Sequence, residues 1–312
     1  MPWKDGYTIS DEVGLADGAI VWPEGKRCAV HIVVSLSVAT GPDGITTADL
    51  AQSPAQFGLG EGLELLRGVL RKHSLSATFA VPALIAQAFP GKITSLARDG
   101  HEIAAMGLKH EDVSGLARDD ELARIGLAGD IISSVTGSRP RGWYSLPRPR
   151  DPFAGGTISR NTIDLLIDAG FAYFGNGLAD DAPHYWVTDF SHRRHMLALP
   201  YYYHFDDQYF CMFPHKGTGL ENSDMLARNW QAELAAQYKR GRFFTMTLHP
   251  QHVGWCNRLQ LLDAFLTRMV QMPGLWVTTG TACARHWHAN YPAATHLTLE
   301  PSIWQDYPGS LS

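Results

Sequence analysis

The sequence has few cysteines, no cluster of basic residues and no long apolar run. Its four cysteines, Cys28, Cys211, Cys256 and Cys283, include no CxxC pair, so they predict neither a disulfide framework nor a thiolate zinc site. No uninterrupted apolar stretch could cross a bilayer, and the N-terminus lacks the charged and then apolar pattern of a secretory signal. We therefore expect a cytoplasmic protein with no membrane partner.

The charge balance is close to even. The chain contains 26 Lys and Arg against 31 Asp and Glu, which gives a net charge of -5. Without a basic stripe there is no electrostatic footprint for nucleic acid. With 312 residues, 45% of them hydrophobic, the chain can bury one substantial core. We expect one large domain that acts on a small, neutral or mildly polar molecule.

Strand-like and helical patterns alternate along most of the chain. Residues 1–26 are polar and irregular and predict an N-terminal arm, residues 27–290 predict the folded domain, and residues 291–312 predict a C-terminal tail. The first strand, Cys28–Ser35, is apolar and β-branched, as is typical of a strand buried on both faces. Further strands are predicted at 76–81, 102–105, 142–146, 171–174, 197–203, 243–248 and 275–279.

Helical periodicity fills the intervals between these strands. Residues 118–135 show it and are followed by Gly137, which is typical of a left-handed helix cap. The alternation favours an α/β fold with a parallel sheet that is closed or nearly closed into a barrel, with the active site at the carboxyl ends of the strands. The longest loops are predicted at 38–57 and 177–195. Other helical stripes carry Leu59, Leu63, Leu66 and Leu70, then Leu226, Trp230 and Leu234, and then Leu259, Leu262, Leu266 and Met269.

Five short motifs follow one another in a fixed order. They are Ser76–Val81, Asp99–Ala105 followed by His110 and Glu111, Arg139–Trp143, Thr247–Pro250 and Gly274–Val277. Together they resemble the motifs of the polysaccharide deacetylase superfamily, in corresponding order. The resemblance covers residues 20–290. It implies a distorted (β/α) barrel of seven strands and hydrolysis of carbon–nitrogen or ester bonds.

The resemblance also implies a metal centre that this sequence has largely lost. Metal-dependent members carry an Asp-x-Asp-like pair on the first strand, a His-x-x-x-His pair after the third, and an Arg after Gly-Trp. Here Ser35 and Ser37 replace the carboxylates, Met106 replaces the first imidazole, and Tyr144 stands where the Arg would be. Hydroxyl and thioether groups are poor ligands for a hard or borderline divalent cation. We expect no bound metal and no other cofactor.

A second group of motifs narrows the resemblance. Gly142–Tyr144, Asn161–Thr162, Ala179–Trp186, Leu199–Tyr201 and Ala284–Trp287 are similar to segments of metal-independent bacterial allantoinases and related cyclic-imide hydrolases. This likeness moves the expected substrate from a sugar polymer toward a small amide, imide or ureide, and it implies a homo-oligomer. The same relatives keep a carboxylate at the position of Ser37 and a His at the position of Met106.

Two imidazoles of the family pattern remain, His110 and His249. Hydrolysis without a cation needs polarisation of the carbonyl, a base for water and an acid for nitrogen. We assign His249 as acid or base, and His110 with Glu111 as a second proton-transfer unit, because imidazole titrates near neutral pH. The predicted substrate-binding side chains are Ser35, Ser37, Tyr144, Trp143 and Asp206.

Several of these residues have a structural alternative. Ser35 and Ser37 could simply leave space at the barrel mouth. The segment His110–Asp112 could be a solvated helix entry, and Asp206 with Asp207 could be an ordinary turn. No G-x-S-x-G turn surrounds Ser35, which disfavours a covalent serine nucleophile.

The leading hypothesis is a metal-independent hydrolase of non-peptide carbon–nitrogen bonds that acts on a small amide, cyclic imide or ureide. Two alternatives remain open. One is a metal-dependent carbohydrate N-deacetylase with an unusual ligand set, which would gain support if His204, Asp206 or His252 reached the position of the lost metal ligands. The other is a non-catalytic binding protein with a deacetylase fold.

Overall fold

A buried apolar run, Cys28–Ser35, forms the strand around which the sheet is organised. The computed structural model describes residues 8–9, 16–145, 157–177, 180–189, 192–202, 205–208 and 223–296. Within these ranges the strands are β1 (Thr8–Ile9), β2 (Cys28–Ser35), β3 (Thr78–Val81), β4 (Glu102–Ala105), β5 (Gly142–Trp143), β6 (Tyr173–Gly177), β7 (His184–Asp189), β8 (Arg194–Pro200), β9 (Phe243–Leu248) and β10 (Leu275–Thr278).

Most of these strands pair in parallel. The order is β8-β6-β5-β4-β3-β2, and β9 pairs with the other edge of β2. Strand β10 lies beside the first half of β2, where Thr278 pairs with His31, and β3 lies beside the second half. Among the described residues, eight strands pair in parallel: β2 to β6, β8 and β9 form the wall, and β10 adds to β2 on the same edge as β3. The predicted α/β class and distorted (β/α) barrel are confirmed.

Helices follow the strands, as the alternating pattern predicts. The long helix after β4 ends at Gly137, whose φ of 78° places it in the left-handed region that glycine favours. The helices are α1 (Thr47–Ala51), α2 (Ser53–Phe57), α3 (Leu63–Lys72), α4 (Ala83–Ala88), α5 (Pro90–Arg98), α6 (Arg118–Thr136), α7 (Thr162–Asp168), α8 (Ser223–Arg240), α9 (Pro250–Val253), α10 (Cys256–Gln271), α11 (Gly280–Asn290) and α12 (Ala293–His296), with a π-helical turn at Gly58–Gly62.

Alternate residues of the strands face two different cores. Val30, Ile32 and Val34 of β2 belong to the core between sheet and helices, whereas Ala29 and Val33 belong to the core inside the barrel. Because side chains along a strand alternate between faces, Ser35 shares the inward face with Val33. The last residue of β2 therefore lies at the mouth of the barrel.

The predicted loop at 177–195 is wrong over part of its length. Residues His184–Asp189 form β7, which pairs antiparallel with β8. Its Tyr, Trp, Val and Thr side chains suit a strand, but Asp180, Asp181 and Pro183 just before it gave the segment a loop-like composition. The other predicted loop, 38–57, contains α1 and α2.

Among the described residues, β8 and β9 do not pair as strands, so the sheet is open between them. The chain continues beyond β8 to Asp206, which forms an isolated parallel bridge with Thr247 of β9. We call this bridged gap between β8 and β9 the seam. Within the described ranges, the pairing of Asp206 with Thr247 is the backbone contact across it. The seam brings the segment 205–208 to the carboxyl end of β9, although it follows β8 in sequence.

The two predicted terminal segments are described only in part. In the N-terminal arm, the buried Trp22 donates from Nε1 to the carbonyl oxygen of Gly241 at 2.9 Å and packs against Trp287. Residues 297–312 of the predicted tail lie outside the described residues, as do residues 146 and 203 of two predicted strands. No helix in the described part of the chain is long and apolar enough to cross a membrane.

Candidate active site

His249 lies directly after β9, at the carboxyl end of the barrel wall, and its side chain is buried. Its ring Nδ1 is 2.8 Å from Oδ1 of Asp207 and 3.3 Å from Oδ1 of Asp206. The backbone N–H of His249 also donates to both carboxylate oxygens of Asp207, at 2.9 and 3.0 Å. Asp207 therefore fixes both the backbone and the ring orientation of His249, and leaves Nε2 as the outer nitrogen.

The two carboxylates are buried and have further donors. The Tyr201 hydroxyl donates to Oδ2 of Asp206 at 2.7 Å, and the backbone N–H of Gln208 donates to Oδ1 at 2.8 Å. Burial raises the pKa of Asp206 to about 6, against the lowering effect of the His249 charge. Burial alone would lower the pKa of His249, but the charges of Asp206 and Asp207 outweigh it and raise that pKa.

Glycines hold the His249 segment against the rest of the mouth. A Cβ on Gly62 would lie 2.6 Å from the carbonyl oxygen of Pro250, and a Cβ on Gly58 would lie 2.7 Å from Cβ of Gln251. These contacts require glycine, and they let α9 pack on the π-helical turn. From α9, Nε2 of Gln251 donates to the carbonyl oxygen of Ser37 at 2.9 Å, which ties the end of β2 to the end of β9.

Ser35, Ser37 and His110 come together at the mouth. The Ser35 hydroxyl contacts Sδ of Met106 at 3.6 Å, and the backbone N–H of Ser37 donates to Oγ of Ser35 at 3.4 Å. Oγ of Ser37 lies 2.5 Å from Nδ1 of His110. The structure thus joins three of the predicted residues through one chain of hydrogen bonds.

His110 adopts an unusual backbone conformation. Its φ of 58° lies in the left-handed region, which costs a non-glycine residue energy and is often found at functional sites. Two backbone hydrogen bonds hold its loop, from Ile45 to Lys109 at 2.7 Å and from Asp112 to Pro42 at 2.8 Å. Burial, aided by the charge of His249, lowers the pKa of His110 to about 3. Ser37 bonds through Oγ to His110 and through its carbonyl oxygen to Gln251, two residues after His249, so the two histidines lie at the same end of the barrel.

Glu111 does not pair with His110 as predicted. Its buried carboxylate accepts from Nη1 of Arg124 at 2.8 Å and from the backbone N–H of Lys109 at 2.8 Å. Because His110 is left-handed, the two neighbouring side chains diverge. Glu111 is better explained as a structural residue that closes its own loop onto α6.

Trp143 and Tyr144 differ in where they lie relative to His110. Trp143 lines a small cavity together with His110 and Glu111, but its indole N–H is already engaged. Trp143 points to the helix side of the sheet, where Nε1 donates to Oγ of Ser145 at 3.0 Å and the ring meets Phe171 edge-on. Tyr144 points into the barrel and packs edge-on against Tyr173, the first residue of β6. Burial, together with the charge of Glu102 at the start of β4, raises the pKa of Tyr144 well above its usual value. Its hydroxyl is buried and has no hydrogen-bond partner among the described residues.

The mouth residues do not fit the divalent cation of the family pattern. Ser35 and Ser37 are neutral, they already bond to Met106 and His110, and no carboxylate lies among these four. In the described part of the chain, Asp206, Asp207 and His249 offer ligand atoms within 4.8 Å of one another. His249 Nδ1 also lies within hydrogen-bond or ion-pair distance of both carboxylates, so these three residues have the ligand types of a cation site as well as the contacts of an acid–base group. His204 lies outside the described residues.

Sequence reasoning identified His249 but underrated Asp207. Asp206 was predicted to bind substrate, yet its carboxylate is engaged by Tyr201, Gln208 and His249. Asp207 was available in the sequence as one of two adjacent acidic residues after a tyrosine-rich strand. Its pairing with His249 depends on the seam, which no local pattern reveals.

Two buried histidines, His31 and His184, and two half-buried ones, His110 and His252, predict a loss of stability in mild acid. Burial lowers the pKa of His31 and His110 to about 3 and of His184 and His252 to about 4. The unfolded chain binds these protons below pH 6.5 and the folded chain does not, so stability is present above that pH and falls as pH drops toward 4. Each group contributes roughly 1.4 kcal/mol per pH unit. The raised pKa of Asp206, which gives the folded state one extra proton, offsets part of the loss.

Urea unfolding measured from pH 7.5 to pH 5 tests this expectation. His31→Gln should reduce the pH slope of the unfolding free energy by about one proton, whatever its effect on stability at pH 7.5. His192→Gln, at an exposed position, should leave the slope as it is. An unfolding free energy that stays constant between pH 7 and pH 5 would contradict the assignment of buried neutral imidazoles.

Comparisons with known proteins bear on the family and the fold of the chain. Residues 60–174 match the family model for polysaccharide deacetylase. Two relatives bear the name "putative polysaccharide deacetylase". The first, from Schizosaccharomyces pombe, is 22% identical over 87% of this chain and 93% of its own. The second, a crystal structure from Mycobacterium smegmatis, is 29% identical with a TM-score of 0.75 and covers 86% of this chain and 93% of its own.

A further solved structure, of PuuE allantoinase, has a TM-score of 0.75 at 21% identity and covers 90% of this chain and 98% of its own. At that identity the likeness shows a shared fold only. The chain carries a polysaccharide deacetylase family match at residues 60–174 and has the polysaccharide deacetylase-like fold, which confirms the resemblance predicted from its motifs.

Proposed function

We propose that the protein hydrolyses a carbon–nitrogen bond of a small amide, cyclic imide or ureide, without a divalent cation at the barrel mouth. One observation carries the proposal. The buried His249 is held through Nδ1 by Asp207 and Asp206, at the same end of the barrel as His110, where active sites of this architecture lie.

His249 is the group that moves the proton. As water attacks the carbonyl carbon, Nε2 takes a proton from the water and the carbonyl π electrons move to oxygen. The same Nε2–H then protonates the leaving nitrogen while the tetrahedral species collapses and the carbon–nitrogen bond breaks. Asp207 keeps the Nδ1 proton in place, and both carboxylates stabilise the imidazolium that forms between the two steps.

The proposed substrate class follows from the chemistry of the mouth and from the relatives. The side of the mouth formed by Ser35, Ser37 and His110 presents hydroxyl and imidazole groups, which suit an uncharged substrate with a carbonyl. The allantoinase name of one fold relative supports ureides and imides as substrates, and the deacetylase names support N-acetyl sugars. These classes define the panel to be tested.

Turnover of that panel with and without a chelator tests the proposal. Hydantoin, succinimide, allantoin, a linear ureide and an N-acetylglucosamine oligomer are incubated with the protein, and its zinc content is measured by plasma emission. We expect hydrolysis of an imide or ureide that the chelator leaves unchanged. Activity lost to the chelator and restored by zinc would reject the metal-independent mechanism in favour of the carbohydrate deacetylase alternative. Binding without turnover, unaffected by His249→Gln, would support the non-catalytic alternative.

A further inference from the structure

The contact between Ser37 and His110 replaces the pairing that was predicted for His110. Oγ of Ser37 lies 2.5 Å from Nδ1 of His110, and it also accepts from the backbone N–H of Ala39 at 3.3 Å. A serine hydroxyl has one proton to donate. Among the described residues, Nδ1 of His110 is the acceptor within reach of that proton.

We propose that Ser37 holds His110 as the tautomer with its proton on Nε2, and that this Nε2–H donates a hydrogen bond to the substrate carbonyl oxygen. Ser37 is then a positioning residue and His110 is the catalytic residue. The inference rests on the proposed hydrolysis for the identity of the reacting carbonyl. The tautomer itself is independent of turnover.

The direction of the Ser37–His110 bond decides the tautomer. If Nδ1 carried the proton, the Ser37 hydroxyl would receive two N–H donors and its own proton would have no protein acceptor among the described residues. With the serine as donor, each group is satisfied. A neutral imidazole carries one proton, so Nε2 must then hold it.

Two features hold the ring in this role. The left-handed backbone of His110 and the hydrogen bonds of its loop to residues 42 and 45 fix where the ring starts. Burial lowers the pKa of His110 to about 3, so the ring stays neutral at physiological pH and does not compete with His249 for the proton of water. Division of labour between a neutral imidazole that polarises a carbonyl and a separate proton-transfer group is established enzyme chemistry.

The chemical step is balanced without proton transfer at His110. When the oxygen of water bonds to the carbonyl carbon, the π pair moves to the carbonyl oxygen, and the Nε2–H of His110 stabilises the resulting negative charge. The proton stays on Nε2 throughout, and collapse of the tetrahedral species returns the electron pair to the carbonyl. Removal of a donor of this kind typically lowers kcat about 100- to 1,000-fold.

Long-range ¹H–¹⁵N correlation spectra of histidine-labelled protein test the tautomer directly. The His110 ring signals are assigned by their absence in His110→Gln. We expect a protonated Nε2 and a bare Nδ1 in the wild type between pH 5 and pH 8. Ser37→Thr, which keeps the hydroxyl, should preserve this pattern. Ser37→Ala should mix the tautomers, and Ser37→Asp should move the proton to Nδ1, because a carboxylate only accepts. Ser114→Ala, the same change at an exposed serine of the next loop, should have no effect.

The kinetic arm separates positioning from binding. With a substrate from the panel, Ser37→Ala should lower kcat about 10- to 100-fold with little change in KM, as loss of an orienting group does. A wild-type spectrum with the proton on Nδ1, or one that Ser37→Ala leaves unchanged, would overturn the inference. The proposed hydrolysis would survive that result. Conversely, failure of every substrate would leave the tautomer to be decided by the spectra alone.

Discussion

Replacement of His249 by Gln is expected to lower kcat by about 1,000-fold with little change in KM, because it removes the group that carries the proton from water to nitrogen. Glutamine has similar volume and keeps a polar atom in the pocket, so the loss should report chemistry more than packing. Steady-state kinetics on the best substrate of the panel measure it. His192→Gln, at an exposed position, is the matched control and should retain wild-type kcat.

A variant of Asp207, the carboxylate that bonds to His249, tests the same role independently. Asp207→Asn is expected to lower kcat about 100- to 1,000-fold, because an amide holds the His249 ring less firmly and no longer stabilises the imidazolium. The charges of Asp206 and Asp207 raise the pKa of His249 against the effect of burial, so in the wild type the rate should climb as pH rises and His249 loses its resting proton. Loss of one charge lowers that pKa, and the acid limb should move to lower pH. Equal activity of wild type, His249→Gln and Asp207→Asn would exclude this pair from the reaction.

The double variant Ser37→Asp with Met106→His should create a zinc site where the wild type has none. With His110 it supplies one carboxylate and two imidazoles, the set that the family resemblance implies and a combination that zinc enzymes use. The contacts of Ser37 with His110, and of Met106 with Ser35 beside Ser37, place all three positions around the same spot. We expect zinc affinity to rise by at least about 1,000-fold, or roughly 4 kcal/mol.

Competition with a chromogenic chelator measures this affinity. Ser114→Asp, which adds the same charge at an exposed loop position, controls for nonspecific electrostatic attraction and should bind no better than the wild type. Stoichiometric zinc in the wild type would show that the present ligand set is sufficient after all. Failure of the double variant to bind zinc would show that the three positions do not converge on one point.

Periodicity and composition were sufficient to predict the barrel. The run Cys28–Ser35 is a buried strand, and residues 118–135 form a helix that ends at Gly137, because hydrophobic spacing and glycine chemistry are local properties. β7 was missed because its acidic, proline-containing approach masks a strand that is stabilised by pairing with β8. The pairing of one strand with another produces little local sequence pattern from which it could be predicted.

The candidate site was predictable only where a motif marked it. His110 and His249 stand at recognisable positions, and the structure brings them to the same end of the barrel. The predicted pairing of Glu111 with His110 was wrong because the left-handed backbone at His110 redirects the next side chain. A left-handed conformation at a non-glycine residue cannot be predicted from amino-acid composition. Tyr144 was misplaced because its position relative to the mouth depends on how the strands are staggered around the barrel, which is a property of the assembled sheet.

The seam has a consequence for how the protein keeps its proposed activity. Asp206 and Asp207 lie on one side of the seam and His249 lies on the other. The backbone bridge from Asp206 to Thr247 joins the two sides. If the two sides of the seam separate, the His249 imidazole loses both counter-charges at once. Its pKa then falls toward that of a buried, isolated ring. The Asp206–Thr247 bridge and the ion pairs of His249 therefore form together. The acid–base residue reaches its working protonation state only once this last part of the barrel wall has folded.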